Sequence, residues 1–344
     1  MIKQFNSSHF YSLTPPQRSL NYSRRIDDSN LITHLKPETF IIINPTAGDG
    51  QAEKRWQDFE TDLKMNNIHY HAVITEYKNH TTELTTQAIS LGYNRIGIFG
   101  GDGTLNEALQ GLFKEDHIKS EDVKLIFFPA GSSCDFEKKF HRQRNWIQRI
   151  QANSAFPIDI FKVDCCDFSG RKISRYIINN SSIGIISLAN EKFNSVKGIT
   201  KKIKQMSVDA GAVICGLQAI TQFRPFNAEM SLDGENFQLL SLSNVTMFKT
   251  AHFGGDMSYG IETSQDDGQL SVAWLDGTSK LGLTALMPSL FRGTILKKKQ
   301  AHYRTCHELL LRTEDNAIVE TDGENIGTPP VKYTILPKAL QVII

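Results

Sequence analysis

Hydrophobic and polar positions divide the chain into two stretches of different rhythm. Thr39–Ile43 is a continuous apolar run and predicts a buried strand that ends in Asn44-Pro45-Thr46-Ala47-Gly48-Asp49-Gly50. Helical spacing follows over Gln51–Met65, with Trp56, Phe59 and Leu63 on one face. Tyr70–Thr75 alternates as a strand, and Thr81–Leu91 reads as a helix. A second apolar run, Ile96–Phe99, stops at Gly100-Gly101-Asp102-Gly103-Thr104 before another helix. Lys124–Phe128 predicts a fourth strand, closed by Pro129-Ala130-Gly131-Ser132-Ser133. Strands alternating with helices indicate an α/β layer with a mainly parallel sheet. Ligands of such sheets bind beyond the carboxyl ends of the strands. Three of those ends carry glycine-bearing loops, so they converge on one cleft.

Near residue 157 the rhythm changes. Pro157–Asp164, Lys172–Ser182, Phe226–Leu232, Gln238–Met247, Gln269–Leu275, His307–Thr313 and Ala317–Glu320 read as short β segments separated by turns. Helical insertions fall near 186–222 and 279–292. The expected organisation is an extension over 1–37, an α/β nucleotide-binding domain over 38–156, and a mostly β sandwich domain over 157–344 that completes an acceptor site. The final residues are free to return to the first domain. The tetrad Asp-Gly-Glu-Asn occurs twice, at 233–236 and 322–325, and Asp-Gly is a strong hairpin-turn signal.

Composition changes this picture little. With 344 residues, each domain can build its own core. A formal net charge of +1 gives no ground for bulk binding to nucleic acid or to an anionic membrane. Cys134, Cys165, Cys166, Cys215 and Cys306 show no paired spacing and read as reduced, mostly buried thiols. The N-terminus lacks a hydrophobic signal core, and the longest apolar stretch, Ala210–Ile220, is too short to span a bilayer. The expected location is the cytoplasm.

The chemistry concentrates at Gly100–Thr104. A strand, a glycine turn and a helix N-terminus bring backbone N–H groups and the positive end of a helix dipole to one spot, which suits a phosphate. The glycines allow positive φ and close approach of a ligand. A tight turn capped by Asp102 or Thr104 accounts for the same residues without a ligand.

Several motifs in fixed order go further: IIINPTAG (41–48), TEYKNHTTEL (75–84), GGDGTLNE (100–107), FPAGSSCDF (128–136), NNSSIG (179–184), FGGDM (253–257), DDGQL (266–270) and TDGE (321–324). In these the chain resembles the diacylglycerol kinase and sphingosine kinase-like lipid kinase family, including its small soluble bacterial members, over about residues 39–344. The resemblance implies an N-terminal α/β domain of the NAD-kinase and phosphofructokinase type, a C-terminal β-sandwich, and an ATP- and Mg²⁺-dependent kinase of a lipid hydroxyl. Carried over by position, Asn44 and Thr46 line the nucleotide site and Thr75 lies near the base or ribose. Gly101, Asp102, Gly103 and Thr104 hold the phosphates, with Asp102 acting through Mg²⁺. Glu107 supports that loop, and Gly131, Ser132 and Asp135 form the facing wall. Asp322 corresponds to the proposed general base, with a hairpin turn as the rival reading. Asp267 corresponds to a carboxylate that holds a structural Mg²⁺ with nearby backbone carbonyls, unless it merely ends a strand.

Phosphoryl transfer needs the triphosphate held in line, its charge neutralised and the acceptor hydroxyl aligned, and these residue types can do all three. No Walker A pattern and no HRD or DFG triplet occurs, so P-loop and protein-kinase mechanisms are unsupported. One departure is Cys134, where the family commonly has Asn. The PAGS start is closer to the ceramide and sphingosine kinase branches, but it does not name a lipid. Leu281–Phe291 is apolar at helical intervals and precedes Lys297-Lys298-Lys299, which suits either a core-facing helix or peripheral, transient contact with a membrane surface. The implied partner is the lipid substrate, and a homodimer is compatible with these residues. Two alternatives stand beside the lipid kinase: a kinase of a soluble acceptor, as NAD kinases are, and a nucleotide-binding regulator without catalysis.

Overall fold

The computed structural model describes residues 39–140, 144–195 and 207–344; the expected extension over 1–37 lies outside them. Four fully paired strands form the first layer: β1 (Thr39–Ile43), β2 (Tyr70–Ile74), β3 (Arg95–Gly100) and, after a short hairpin of β4 (Phe113–Lys114) with β5 (His117–Ile118), β6 (Lys124–Pro129). They run parallel in the order β2-β1-β3-β6. Every residue of β1 and β3 is buried, as expected of strands covered on both faces. Helices α1 (Gln51–Met65), α2 (His80–Ser90) and α3 (Asp102–Leu112) supply the cover. Trp56 and Phe59 of α1 pack on Phe99 and Phe128, while Leu105 and Leu109 of α3 join Ile96, Ile98 and Phe127 on the opposite face.

Short helices α4 (Asp135–Lys138) and α5 (Trp146–Gln151) lead into the β-rich half. There β7 (Phe156–Cys166), β8 (Lys172–Ile177) and β9 (Asn180–Gly184) precede α6 (Ile185–Ser195) and α7 (Val208–Gln222). The run Lys172–Ser182, expected as one strand, is broken at Ile178–Asn179, and that break has a use in the site. Next come β10 (Phe226–Leu232), β11 (Gln238–Phe248), the small pair β12 (His252–Phe253) and β13 (Met257–Ser258), β14 (Leu270–Asp276) and helix α8 (Lys280–Phe291). The chain closes with β15 (Ala301–Cys306), β16 (Glu308–Arg312), β17 (Val319–Thr321) and the long β18 (Glu324–Ile343).

Strands β15 and β18 are absent from the sequence reading. β15 is mostly polar and exposed, with only Cys306 buried. In β18, Pro329, Pro330 and Pro337 argue against a strand, yet Val331, Tyr333 and Ile335 are buried in strict alternation. Register shifts fall near the prolines, between Thr328 and Lys332 and between Leu336 and Leu340. β18 joins the two halves: Leu309–Leu311 of β16 pair with it antiparallel, and its last residues Gln341, Val342 and Ile343 pair parallel with Lys124, Leu125 and Ile126 of β6. The result is one continuous sheet in the order β15-β14-β11-β10-β16-β18-β6-β3-β1-β2, with β7–β8 and β9–β17 branching from it to form the sandwich. All five cysteines are free thiols. Among the described residues, no helix is long and apolar enough to cross a membrane.

Candidate active site

The loops that follow β1, β3 and β6 meet. Asn44 ties the first two together: its Nδ2 donates to Thr104 Oγ1 at 2.9 Å, and its Oδ1 accepts from the Thr46 amide (3.1 Å) and hydroxyl (2.8 Å). The second and third touch through glycines, since a Cβ on Gly131 would stand 2.5 Å from the Gly101 Cα. Gly100, Gly101, Gly103 and Gly131 do not take positive φ, so close packing rather than backbone handedness explains them, contrary to the expectation. Gly103 differs from the rest, because nothing lies within 4 Å of where its Cβ would be. It faces open space.

Helix α3 begins at Gly101 with no side-chain cap, so neither Asp102 nor Thr104 caps it. Its first-turn N–H groups have no intrahelical acceptor, and they retain the donors and dipole that favour an anion. Thr104 is buried and occupied with Asn44.

The Asp102 carboxylate is a bracket across three elements. Oδ2 accepts from the Asp135 amide at 2.8 Å; Oδ1 accepts from the Phe136 amide at 3.0 Å and from Asn179 Nδ2 at 3.3 Å. Burial and then the neighbouring Asp135 charge push Asp102 up to about 6, against the pull of those N–H donors. Asp135 is paired with Lys138 at 2.9 Å. Cys134 sits at φ +49°, a conformation that Asn adopts more readily than Cys.

Asp322 occupies a tight turn between β17 and β18, with φ +44° at Asp322 and +91° at Gly323. It is therefore both a hairpin residue and a site residue. Its Oδ2 accepts from Asn106 Nδ2 at 2.6 Å, and its Oδ1 from the Asn180 amide at 3.0 Å and the Asn179 amide at 3.3 Å. The break between β8 and β9 aims those amides at it. Burial pushes Asp322 up to about 6, with the Asp102 charge acting in the same direction and the Asn180 and Asn106 donors opposing.

Thr46, Asp102, Gly103, Ser132, Asp135 and Asp322 line one end of a cavity of about 700 Å³. Its other end is apolar, walled by Ile186 and Phe193 of α6, Ile220 of α7, and Leu283, Leu286 and Met287 of α8. Asn44, Gly101, Thr104 and Gly131 shape the loops from behind. Thr75 ends β2 with its amide on Ile43 O (2.8 Å), and Glu107 accepts from the Asn79 amide (3.0 Å); neither lines the cavity. Asp267 does not line this cavity, and its Oδ1 accepts from the Lys249 ammonium at 2.8 Å. Among the described residues no three His, Cys, Asp or Glu side chains gather to hold a metal. The Asp135 charge raises Asp102 and the Asp102 charge raises Asp322, so a cation arriving at this end of the cavity would relieve both carboxylates.

Four contributors were not singled out from sequence. Asn106, Asn179 and Asn180 sit within quoted motifs, but only the fold shows that they serve the two aspartates. Glu320 is 1 % exposed beside the same cavity, and its Oε1 accepts from the Gly323 amide. Burial pushes it up to about 8, and the Asp322 charge adds to that. A lone acid in Val319-Glu320-Thr321 carries no sequence signal.

Comparison with known proteins agrees with the α/β domain and β-rich domain of this fold. The profile of the diacylglycerol kinase catalytic domain matches residues 38–163, and that of the YegS C-terminal NAD kinase beta sandwich-like domain matches 182–344. A protein named diacylglycerol kinase from Staphylococcus saprophyticus is 23% identical over 314 residues, 90% of this chain and 95% of that one. Another of that name from Mycobacterium tuberculosis is 22% identical over 307 residues, 88% and 93% of the two chains. The crystal structure of a diacylglycerol kinase from Bacillus anthracis superposes with a TM-score of 0.61 at 18% identity, over 89% of this chain and 96% of that one. With these two profiles side by side, the chain belongs with proteins that join a diacylglycerol kinase catalytic domain to a YegS-type C-terminal beta sandwich-like domain.

Proposed function

We propose that the protein is an ATP- and Mg²⁺-dependent kinase that moves the γ-phosphoryl group of ATP to a lipid hydroxyl. The observation that carries this reading is the cavity's lining, with phosphate-suited groups from the loops after β1, β3 and β6 on one part and apolar side chains of α6, α7 and α8 on another. The uncapped first turn of α3 and the open face at Gly103 receive the phosphates. Asp102 holds the loop after β6 against α3, fixing the width of the phosphate cleft. When bound, Mg²⁺ neutralises phosphate charge; Asp102 and Asp135 are the residues that would hold it. Asp322, ionised above a pKa of about 6, accepts the proton of the acceptor hydroxyl. The hydroxyl oxygen bonds to the γ-phosphorus, the bond to the bridging oxygen breaks, and ADP leaves.

Leu281 is 86 % exposed on α8, whose opposite face walls the cavity. This supports transient contact with a membrane surface by a protein otherwise in the cytoplasm. The printed names of the relatives make diacylglycerol the first acceptor to try. The test is transfer from labelled ATP, with Mg²⁺ and detergent micelles, to diacylglycerol, a sphingoid base, ceramide or phosphatidylglycerol. A labelled lipid is the expected result. Labelled NAD instead would establish a soluble acceptor, and ATP binding without any transfer would leave a nucleotide-binding regulator.

A further inference from the structure

Lys249, directly after β11, is 1 % exposed. Nζ donates to Asp159 Oδ2 at 2.9 Å, to Asp267 Oδ1 at 2.8 Å and to the Gln269 carbonyl at 2.9 Å. Three acceptors satisfy the three hydrogens of an ammonium. Two carboxylates and a carbonyl are also the oxygen donors that a hard divalent cation selects. Asp159 is fully buried, and its remaining positions accept from the Gly268 amide (2.7 Å) and the Lys338 amide (2.8 Å). The cation thus pins loop 263–269 between β7 and β18. The Asp267 side chain is 40% exposed, so a solvent ion has a path to this site.

We propose that Lys249 is a built-in cation that takes the place of the structural Mg²⁺ which family resemblance implies at Asp267, making this half of the chain independent of a metal there. A divalent ion between the same oxygens would stand against the ammonium that already engages all three of them. The substitution reaches the site already described. The Lys249 amide donates to Asn179 O at 2.9 Å, and Thr250 Oγ1 donates to Asn179 Oδ1 at 3.0 Å. Asn179 in turn donates to both Asp102 and Asp322. The main chain at Lys249 and the Thr250 side chain thus adjoin the residue that joins the two aspartates. The role of Lys249 does not depend on which acceptor, if any, is phosphorylated.

The test uses full-length protein without nucleotide. Mn²⁺ binding, counted by electron paramagnetic resonance, is compared between wild type and Asp267→Asn; equal numbers of bound ions are expected, and one ion more in wild type overturns the proposal. In parallel, thermal unfolding is followed in EDTA and in millimolar Mg²⁺ or Ca²⁺. Wild type keeps one Tm in all three. Lys249→Ala, left with two facing carboxylates, falls by several degrees in EDTA and regains much of the loss with the divalent ion, and adding Asp267→Asn to it abolishes the recovery. A wild-type Tm that drops in EDTA and is restored by Mg²⁺ only when Asp267 is intact overturns the proposal, and it does so even if Lys249→Ala fails to fold.

Discussion

Asn106 Nδ2 stands 2.6 Å from Asp322 Oδ2, joining the first helical turn after the glycine loop to a hairpin 216 residues further along the chain. One hydrogen bond thus couples the phosphate loop to the proposed base. The donor stabilises the ionised carboxylate, so it lowers a pKa that burial raises. Asp322→Asn is expected to cut transfer by about 10²–10⁴-fold while ATP binding survives. Equal loss of both, read by labelled-lipid formation and nucleotide titration, would remove Asp322 from the base role. Asn106→Leu deletes a donor to the ionised form, so the acidic limb of the kcat/KM profile moves upward from its wild-type position near pH 6.

Glu320 governs stability rather than transfer. Its folded pKa, about 8, lies above its ordinary value, so its contribution is fully present at low pH and is lost as pH rises through about 8. Glu320→Gln removes the ionisable group while keeping the side chain's shape. The variant is expected to exceed wild type in Tm by several degrees at pH 9 and by much less at pH 6. An unchanged pH dependence of Tm would contradict burial of an ionisable group there.

Two glycines separate structural from ligand-facing roles. Gly131→Ala forces a Cβ to 2.5 Å from the Gly101 Cα and should destabilise the fold by about 1–3 kcal/mol while weakening ATP. Gly103→Ala meets no neighbour, and Ala favours a helix by roughly 0.5–1 kcal/mol. Its Tm should hold or rise while nucleotide affinity falls at least about tenfold, or 1.4 kcal/mol. Denaturant unfolding beside nucleotide titration distinguishes the two patterns.

The apolar end of the cavity is tested by filling it. Met287→Trp on α8 is expected to raise KM for a long-chain acceptor several-fold, leaving a short-chain acceptor and ATP nearly unaffected. Equal effects on both chain lengths would show that the acyl chain lies elsewhere.

The twin tetrads mark the limit of what local sequence tells. Asp233-Gly234 and Asp322-Gly323 take the same turn, with φ +49° and +74° in one and +44° and +91° in the other. The Asp233 carboxylate is used up by the amides of His307 and Glu308 at 2.7 and 2.9 Å. The Asp322 carboxylate instead meets Asn106 and Asn180 beside Asp102. Nothing within either tetrad encodes that difference; it comes from strands distant in sequence.

The sequence by itself determined the elements whose pattern is local. Apolar runs such as Ile96–Phe99 specify buried strands, helical spacing specifies α1, and glycine turns mark strand ends, because burial and backbone preference act over a few residues. The ordered motifs also located the aspartates and the family. The tertiary structure alone decided that β18 runs through its prolines to join both halves, that Asn179 serves Asp102 and Asp322 together, and that the Lys249 ammonium meets Asp267. Each of these rests on a group buried against residues far along the chain, where desolvation makes the partner's identity decisive and sequence neighbours do not supply it.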